Sequence, residues 1–252
     1  MKKVYLDGMG KRGTRIAEEI RKNNMFEIVN SPTEADGIII STPPETHYSE
    51  YLKYKGAKML IEKPMCLSYK KATCMNNIMM GNNYMFSDVL VFLTAYFQKH
   101  NVKVKSIHSD WLKSVDIKTD VCYDLGYHHI YIHAKIFGKI FKKMKITNVS
   151  DKTKSIILSF GENKSIINVS HSNNHKFYRN DFNIETNIGT FYILEKNNIM
   201  KLYSPSENLI CSSDTGLYNE LKLFSKFIDG KYKYDNLIDK NIVKWLEKAV
   251  KT

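Results

Sequence analysis

The chain has 252 residues, 43% hydrophobic and 25% charged, a globular balance with room for one large core or two modest ones. No run of about 18 apolar residues occurs, which excludes a membrane-spanning helix. The glycine-rich turn after the first short apolar stretch reads as the end of a strand, not as part of a signal peptide, so a cytoplasmic location is expected. The net charge of +12 comes from lysines scattered along the chain without a nucleic-acid motif, which excludes nucleic acid as the expected partner but suits an anionic ligand such as a phosphorylated or nucleotide-linked substrate.

In chain order, Lys3–Asp7 predicts a strand and Thr14–Lys22 a helix, with Ile16, Ala17 and Ile20 on one face. Phe26–Val29 predicts a second strand, and the β-branched run Gly37–Ser41 a strand buried on both faces. A helix from Thr46 to Lys55 ends at Gly56, and Lys58–Ile61 is the next strand. Ser68 is read as capping a helix that runs to Met80, followed by a strand at Asn83–Phe86. Strands alternating with helices at this spacing predict a parallel sheet. Beyond residue 87, helices at Val89–Gln98 and Val121–Phe137 flank a strand at Lys103–Trp111. Lys145–Leu194 then alternates apolar and polar residues between turn signals, which predicts an antiparallel sheet. Helices at Leu217–Ile228 and Ile238–Val250 close the chain. The expected fold class is α/β: a contracted Rossmann-type domain over residues 1–86, then an α+β domain over 87–252 with an open-faced, mostly antiparallel sheet. An apolar open face must be covered, so a homo-oligomer, dimer or tetramer, packed sheet to sheet is expected.

Four segments carry the chemistry. Gly8-Met9-Gly10-Lys11-Arg12-Gly13 is a G-x-G-x-x-G turn between a strand and a helix. There the first glycine makes the turn, the second admits a pyrophosphate, and the third lets helix and strand pack closely. The acidic residue that would bind a ribose some 20 residues on is missing. The second strand ends at Val29-Asn30-Ser31, and a helix normally found before the next strand is absent. Without that carboxylate, Lys11 or Arg12 can attract a 2′-phosphate, so NADP is favoured slightly over NAD.

Ser41-Thr42-Pro43-Pro44-Glu45-Thr46-His47 follows the buried strand, its prolines holding the chain extended where a flat ring could lie. Glu62-Lys63-Pro64 sits at another strand's carboxyl end, where open α/β sheets place ligands. In a helix, Asp124 and His128 of Asp124-Leu125-Gly126-Tyr127-His128-His129 share a face, the arrangement that orients an imidazole as a general base. His129 and His133 are also four apart, so a metal pair stays open on spacing, although no H-E-x-x-H pattern supports it and no metal is expected. His108, His171 and His175 are assigned to structure or solvent. Cys66, Cys74, Cys122 and Cys211, without a C-x-x-C pair, read as reduced thiols.

Together, in this order and over essentially the whole chain, these segments resemble the glucose-fructose oxidoreductase/inositol dehydrogenase (Gfo/Idh/MocA) family. DGIIISTPPETHYSEYLKYKGAKMLIEKPMCLS, YDLGYHHIYIHAKIFG and LYNELKLFSKFIDGK carry the likeness. The resemblance implies an NAD(P)-dependent oxidoreductase acting on the carbinol carbon of a sugar, cyclitol or nucleotide sugar. Lys63 would contact the reacting hydroxyl, His128 would take its proton, and Asp124 would align His128 or bind a substrate hydroxyl, all in one cleft. Thr42, Pro43, Pro44 and His47 would frame the nicotinamide and ribose, and Glu62 and Pro64 would fix Lys63, whose bond to Pro64 would be cis. The chain departs from the family in its length, in the missing carboxylate, and in Lys118-Thr119-Asp120-Val121-Cys122 where glycines usually precede the catalytic helix. The alternative implied by those departures is a catalytically silent paralogue serving as a binding or scaffold subunit.

Overall fold

A computed structural model describes residues 1–114, 120–150, 152–171 and 178–250. They form two compact units, one containing Met1–Asn83 and Leu217–Glu247, the other built on Tyr84–Gly216.

The first unit opens with β1 (Lys3–Asp7), α1 (Lys11–Asn23), β2 (Glu27–Val29), β3 (Gly37–Ile40), α2 (His47–Lys53), β4 (Met59–Glu62), α3 (Tyr69–Cys74) and β5 (Ile78–Gly81). The strands make an all-parallel sheet of order β2-β1-β3-β4-β5. Every residue of β3, β4 and β5 is buried, as continuous apolar strands covered on both faces must be.

Parallel strands usually need a crossover of a dozen or more residues, yet residues 30–36 connect β2 to β3 with one 3-10 turn, Pro32–Glu34. The short path works because β2 has three residues and pairs only with Lys3, Val4 and Tyr5, while β3 starts opposite Val4. The chain therefore retreats about one residue along the sheet, some 3.3 Å. Asp36 clamps the passage: its carboxylate accepts the Lys3 N–H at 2.8 Å, and its own N–H donates to the Lys3 carbonyl at 2.9 Å. The expected deletion of a helix here is what the structure contains.

Two sequence expectations need correction. The helix begun after Ser68 stops at Cys74, and residues 78–81 are the fifth strand. Ile78, Met79 and Met80 have no polar face to turn to water, and Met75 has already left the helix in extended backbone at φ −87°, ψ 119°. Asn83–Phe86, expected as a strand, is a 3-10 turn.

The second unit contains α4 (Asp88–Lys99), begun by the Ser87 hydroxyl accepting the Leu90 N–H, then β6 (Val104–Leu112). A π-turn over Cys122–Gly126 leads into α5 (Tyr127–Phe137). Seven strands follow: β7 (Lys143–Ser150), β8 (Thr153–Phe160), β9 (Asn163–Ser170), β10 (Arg179–Thr186), β11 (Gly189–Lys196), β12 (Ile199–Tyr203) and β13 (Leu209–Asp214). The sheet order is β13-β12-β11-β10-β6-β9-β8-β7, antiparallel except for the central β6–β9 pair. The last two strands lie beyond the alternation seen in the sequence.

Alternation sorts this sheet's faces. Ile107, Trp111, Ile167, Val169, Phe182 and Ile184 point into the core. The opposite face is mixed, not apolar: Ile166, Leu194 and Ile199 are exposed there, but Arg179 bridges Asp110 at 3.2 Å and Asp181 at 2.6 Å across the central strands.

The closing helices α6 (Leu217–Ile228) and α7 (Leu237–Val250) belong with the parallel sheet, not with the second domain as the boundary at residue 86 implied. Their amphipathic faces are the reason. Phe224 and Ile228 seat against Gly37, where a Cβ would lie 2.7 Å from the Ile228 side chain, and Ile242, Val243 and Leu246 are fully buried. No described helix is long and apolar enough to cross a membrane.

Candidate functional site

In the first unit, strand order reverses beside β1, and the loops after β1 and β3 leave the sheet at one level, with Asp7 opposite Ile40. Carboxyl ends of strands at such a switch point are where open α/β sheets bind ligands. Gly8 turns the chain at φ 99°, and a Cβ on it would meet Thr42 N at 2.7 Å. Gly13, in the first turn of α1, sits against Gly8, so that a Cβ there would lie 1.9 Å from the Gly8 carbonyl oxygen. The Ser41 hydroxyl ties the two loops by donating to the Gly8 carbonyl at 2.6 Å. Gly10, which precedes α1, is different: nothing lies within 4 Å of where its Cβ would be. The cradle is closed at its base and open at the helix N-terminus, the shape and polarity that suit a pyrophosphate.

Thr42, Pro43 and Pro44 continue the rim, fixed by Thr46, whose hydroxyl lies 2.9 Å from Thr42 Oγ1 and donates to the Pro43 carbonyl at 2.8 Å. His47 is fully buried and braces this rim to the Glu62-Lys63-Pro64 turn. Its Nδ1 lies 2.7 Å from the Pro64 carbonyl and its Nε2 2.8 Å from the Thr42 carbonyl. Carbonyls only accept, so both bonds form at once only in the imidazolium. Burial pushes the ring below its usual range, while the two carbonyls, Glu62 and Glu45 pull it back. The Lys63–Pro64 bond is cis, as the resemblance implied.

Arg12 is committed elsewhere than expected. Its Nε donates to Glu62 Oε1 at 2.7 Å, and its Nη2 lies 3.3 Å from Glu220 Oε1 on α6. Glu220 is fully buried, and burial, with the like charge of Glu62, drives its carboxyl well above the ordinary range while Arg12 pulls it back. Of the two cations proposed for a 2′-phosphate, Arg12 therefore serves two carboxylates and the exposed Lys11 is left. At the end of β2, the Ser31 hydroxyl accepts from Thr33 N, and Asp36 is held at Lys3. Glu220 was missed as a site residue. Its signal was an acidic residue at 220 on a face shared with Leu217, Leu221 and Phe224.

Asp124 and His128 fall in the second unit. His128, 6% exposed, packs its ring against Tyr84 and Trp111, at centroid distances of 5.2 and 5.4 Å. Asp124 Oδ2 accepts from His171 Nε2 at 3.0 Å. His171, assigned above to structure or solvent, is thus an imidazole partner of this carboxylate. Lys118, Thr119 and His175 lie outside the described residues.

His129 and His133 both hydrogen-bond Ser109. Asn180 Nδ2 donates to Glu195 at 3.2 Å, so its Oδ1 must accept from His129 Nε2 at 2.9 Å. Burial depresses His129 to about 4, so the ring is neutral at pH 7 and its Nδ1 accepts from the Ser109 hydroxyl at 2.8 Å. That uses the hydroxyl's one proton, and Ser109 in turn accepts from His133 Nε2 at 2.8 Å. The remaining His133 Nδ1 has no hydrogen-bond partner among the described residues. Both rings are thereby fixed as Nε2–H tautomers. No group of three or more metal-ligating side chains occurs among the described residues.

No family model and no curated protein matches the chain. Solved structures do. The chain is similar to UDP-N-acetylglucosamine 3-dehydrogenase GnnA from Acidithiobacillus ferrooxidans, at a TM-score of 0.80 and 15% identity, covering 98% of this chain and 96% of that one. It is similar to GenD2 from gentamicin A biosynthesis, solved with NAD, at 0.79 and 13%, covering 99% and 93%. An inositol dehydrogenase homologue from Azotobacter vinelandii, solved with NADH and myo-inositol, matches at 0.77 and 11%, covering 99% and 94%. At these identities the likeness establishes a shared fold: a Rossmann-type parallel sheet followed by a mostly antiparallel one.

Proposed function

We propose that the chain is a nicotinamide-dependent oxidoreductase of the Gfo/Idh/MocA type, acting on a carbinol carbon of a sugar, cyclitol or nucleotide sugar. The cradle of Gly8, Gly10 and Gly13 against Ser41 and Thr42 carries the reading: closed where backbone meets backbone, open where a dinucleotide phosphate would meet the N-terminus of α1. The fold shared with structures solved with NAD, or with NADH and myo-inositol, supports it. A bound nicotinamide would supply the hydride acceptor or donor.

The chain's own residues do the rest. Lys63 would hold the substrate hydroxyl and stabilise negative charge on its oxygen, its turn held by Glu62 and by the His47 bond to Pro64. His128 would take the hydroxyl proton, and Asp124 would orient the imidazole or the substrate. NADP is preferred to NAD in this reading, because Asn30 and Ser31 present no carboxylate to repel a 2′-phosphate and Lys11 is exposed beside the cradle. The test is a panel of sugars, cyclitols and nucleotide sugars incubated with each oxidised cofactor, following nicotinamide absorbance. Reduction with at least one member is expected. Tight cofactor binding with no reduction across the panel would favour a binding subunit, the reading to which the contracted crossing between β2 and β3 lends weight.

A further inference from the structure

We propose that His171 is a positioning residue for Asp124, holding the carboxylate in place for the proton transfer assigned to His128. This rests on the oxidoreductase reading above.

The placement follows from the strand. Ser165, Ile167 and Val169 alternate inward along β9, and His171 is the next residue of that series, one step past the strand's end. Its side chain is 4% exposed, against 22% for Asp124. The His171 backbone N–H donates to the Lys152 carbonyl at 2.9 Å, so the ring projects from a fixed point of the sheet. A carboxylate only accepts, so the 3.0 Å contact requires a proton on His171 Nε2.

Asp124 itself sits in the π-turn, its N–H donating to the Asp120 carbonyl at 3.1 Å. Asp120 Oδ2 pairs with Lys154 at 2.5 Å, and its Oδ1 accepts the Cys122 N–H at 2.8 Å. Asp120 is therefore spent on Lys154 and the turn, and His171 is the imidazole of the sheet that Asp124 engages. One carboxylate oxygen is committed to a rigid strand, which limits the rotation of the whole group. A mobile carboxylate in the same place would sample orientations useless to a base four residues on.

Substitution tests the bond. Glutamine at 171 sets an amide N–H near the position of Nε2–H but does not titrate, whereas alanine removes the donor. In the full-length protein, His171→Ala is expected to lower kcat roughly 10- to 100-fold, the worth of a hydrogen bond to a charged group, with the KM for the nicotinamide cofactor unchanged. His171→Gln is expected to restore most of the rate. Wild-type turnover in both variants, or equal loss in both with native circular dichroism, would overturn the proposal. Nitrogen-15 spectra of the unliganded protein read the pair without turnover: Asp124→Asn should move the His171 Nε2–H resonance. If the wild-type chain proves inactive, the oxidoreductase reading falls by itself, and an unmoved resonance would overturn the pair independently.

Discussion

A Cβ on Gly13 would lie 1.9 Å from the carbonyl oxygen of Gly8, whereas one on Gly10 would meet nothing within 4 Å. The two glycines thus serve different ends of one loop. Gly13→Ala should destabilise the first unit by about 1–3 kcal/mol, because backbone, not a flexible side chain, must yield. Gly10→Ala should leave stability unchanged yet weaken dinucleotide binding by roughly tenfold or more, by filling the space a phosphate needs. Chemical denaturation alongside cofactor titration of both variants checks the contrast. Equal cofactor affinity in Gly10→Ala and wild type would remove the phosphate from that position.

Arg12 and Lys11 should likewise separate. Lys11→Ala should reduce any preference for NADP(H) over NAD(H), because the exposed ammonium is the cation left for a 2′-phosphate. Arg12→Met should leave that ratio alone and instead reduce stability, since Glu62 and the buried Glu220 lose their common partner. Matched titrations with the two cofactors measure the ratio, and a ratio changed by Arg12→Met alone would reverse the assignment.

The Ser109 network gives the second unit a pH dependence of defined sign. His129 is depressed to about 4 and His133 well below its ordinary value, both chiefly by burial. In the unfolded chain both rings titrate near the ordinary value of about 6.5. Between those pH values the unfolded state binds more protons, so stability is full above about pH 6.5 and is lost as pH falls toward about 4. His129 alone should account for roughly 3 kcal/mol of that loss. Denaturant melts across this range should show it, and His129→Gln should flatten the slope. A wild-type slope as flat as the variant's would mean the rings are not buried neutral.

The proposed chemistry predicts that His128→Ala lowers turnover by roughly 10²–10⁴-fold with cofactor binding near normal. Lys63→Ala should be at least as damaging. Both are measured on the substrate that the panel identifies, and wild-type turnover in either variant would take that residue out of the reaction.

The parallel sheet was legible because the chemistry of its parts is local. A β-branched run such as Ile38–Ile40 has few alternatives to a buried strand, and a glycine turn seven residues along announces the first crossover. Ile78–Met80 was misread because a short apolar run fits a buried helix end as well as a strand, and the turn to extended backbone at Met75 leaves no mark in the sequence. The attachment of α6 and α7 to the first unit depends on contacts made some 190 residues away from Gly37, which no periodicity reports. Of the candidate residues, the glycine cradle is legible from spacing, and the Lys63 turn from its place at a strand's carboxyl end. Glu220 and His171 are not: each meets a partner distant in sequence, Arg12 and Asp124, and appears in the sequence only as a polar residue on an apolar face.

The central claim is that the cradle beside β1 holds a nicotinamide dinucleotide. Fluorescence titration of the purified wild-type chain with NADPH and NADH, in parallel with Gly10→Ala, tests it most directly. Saturable binding of at least one cofactor to the wild-type chain, weakened in Gly10→Ala at unchanged stability, is the predicted result. A well-folded wild-type chain that binds neither cofactor would contradict it.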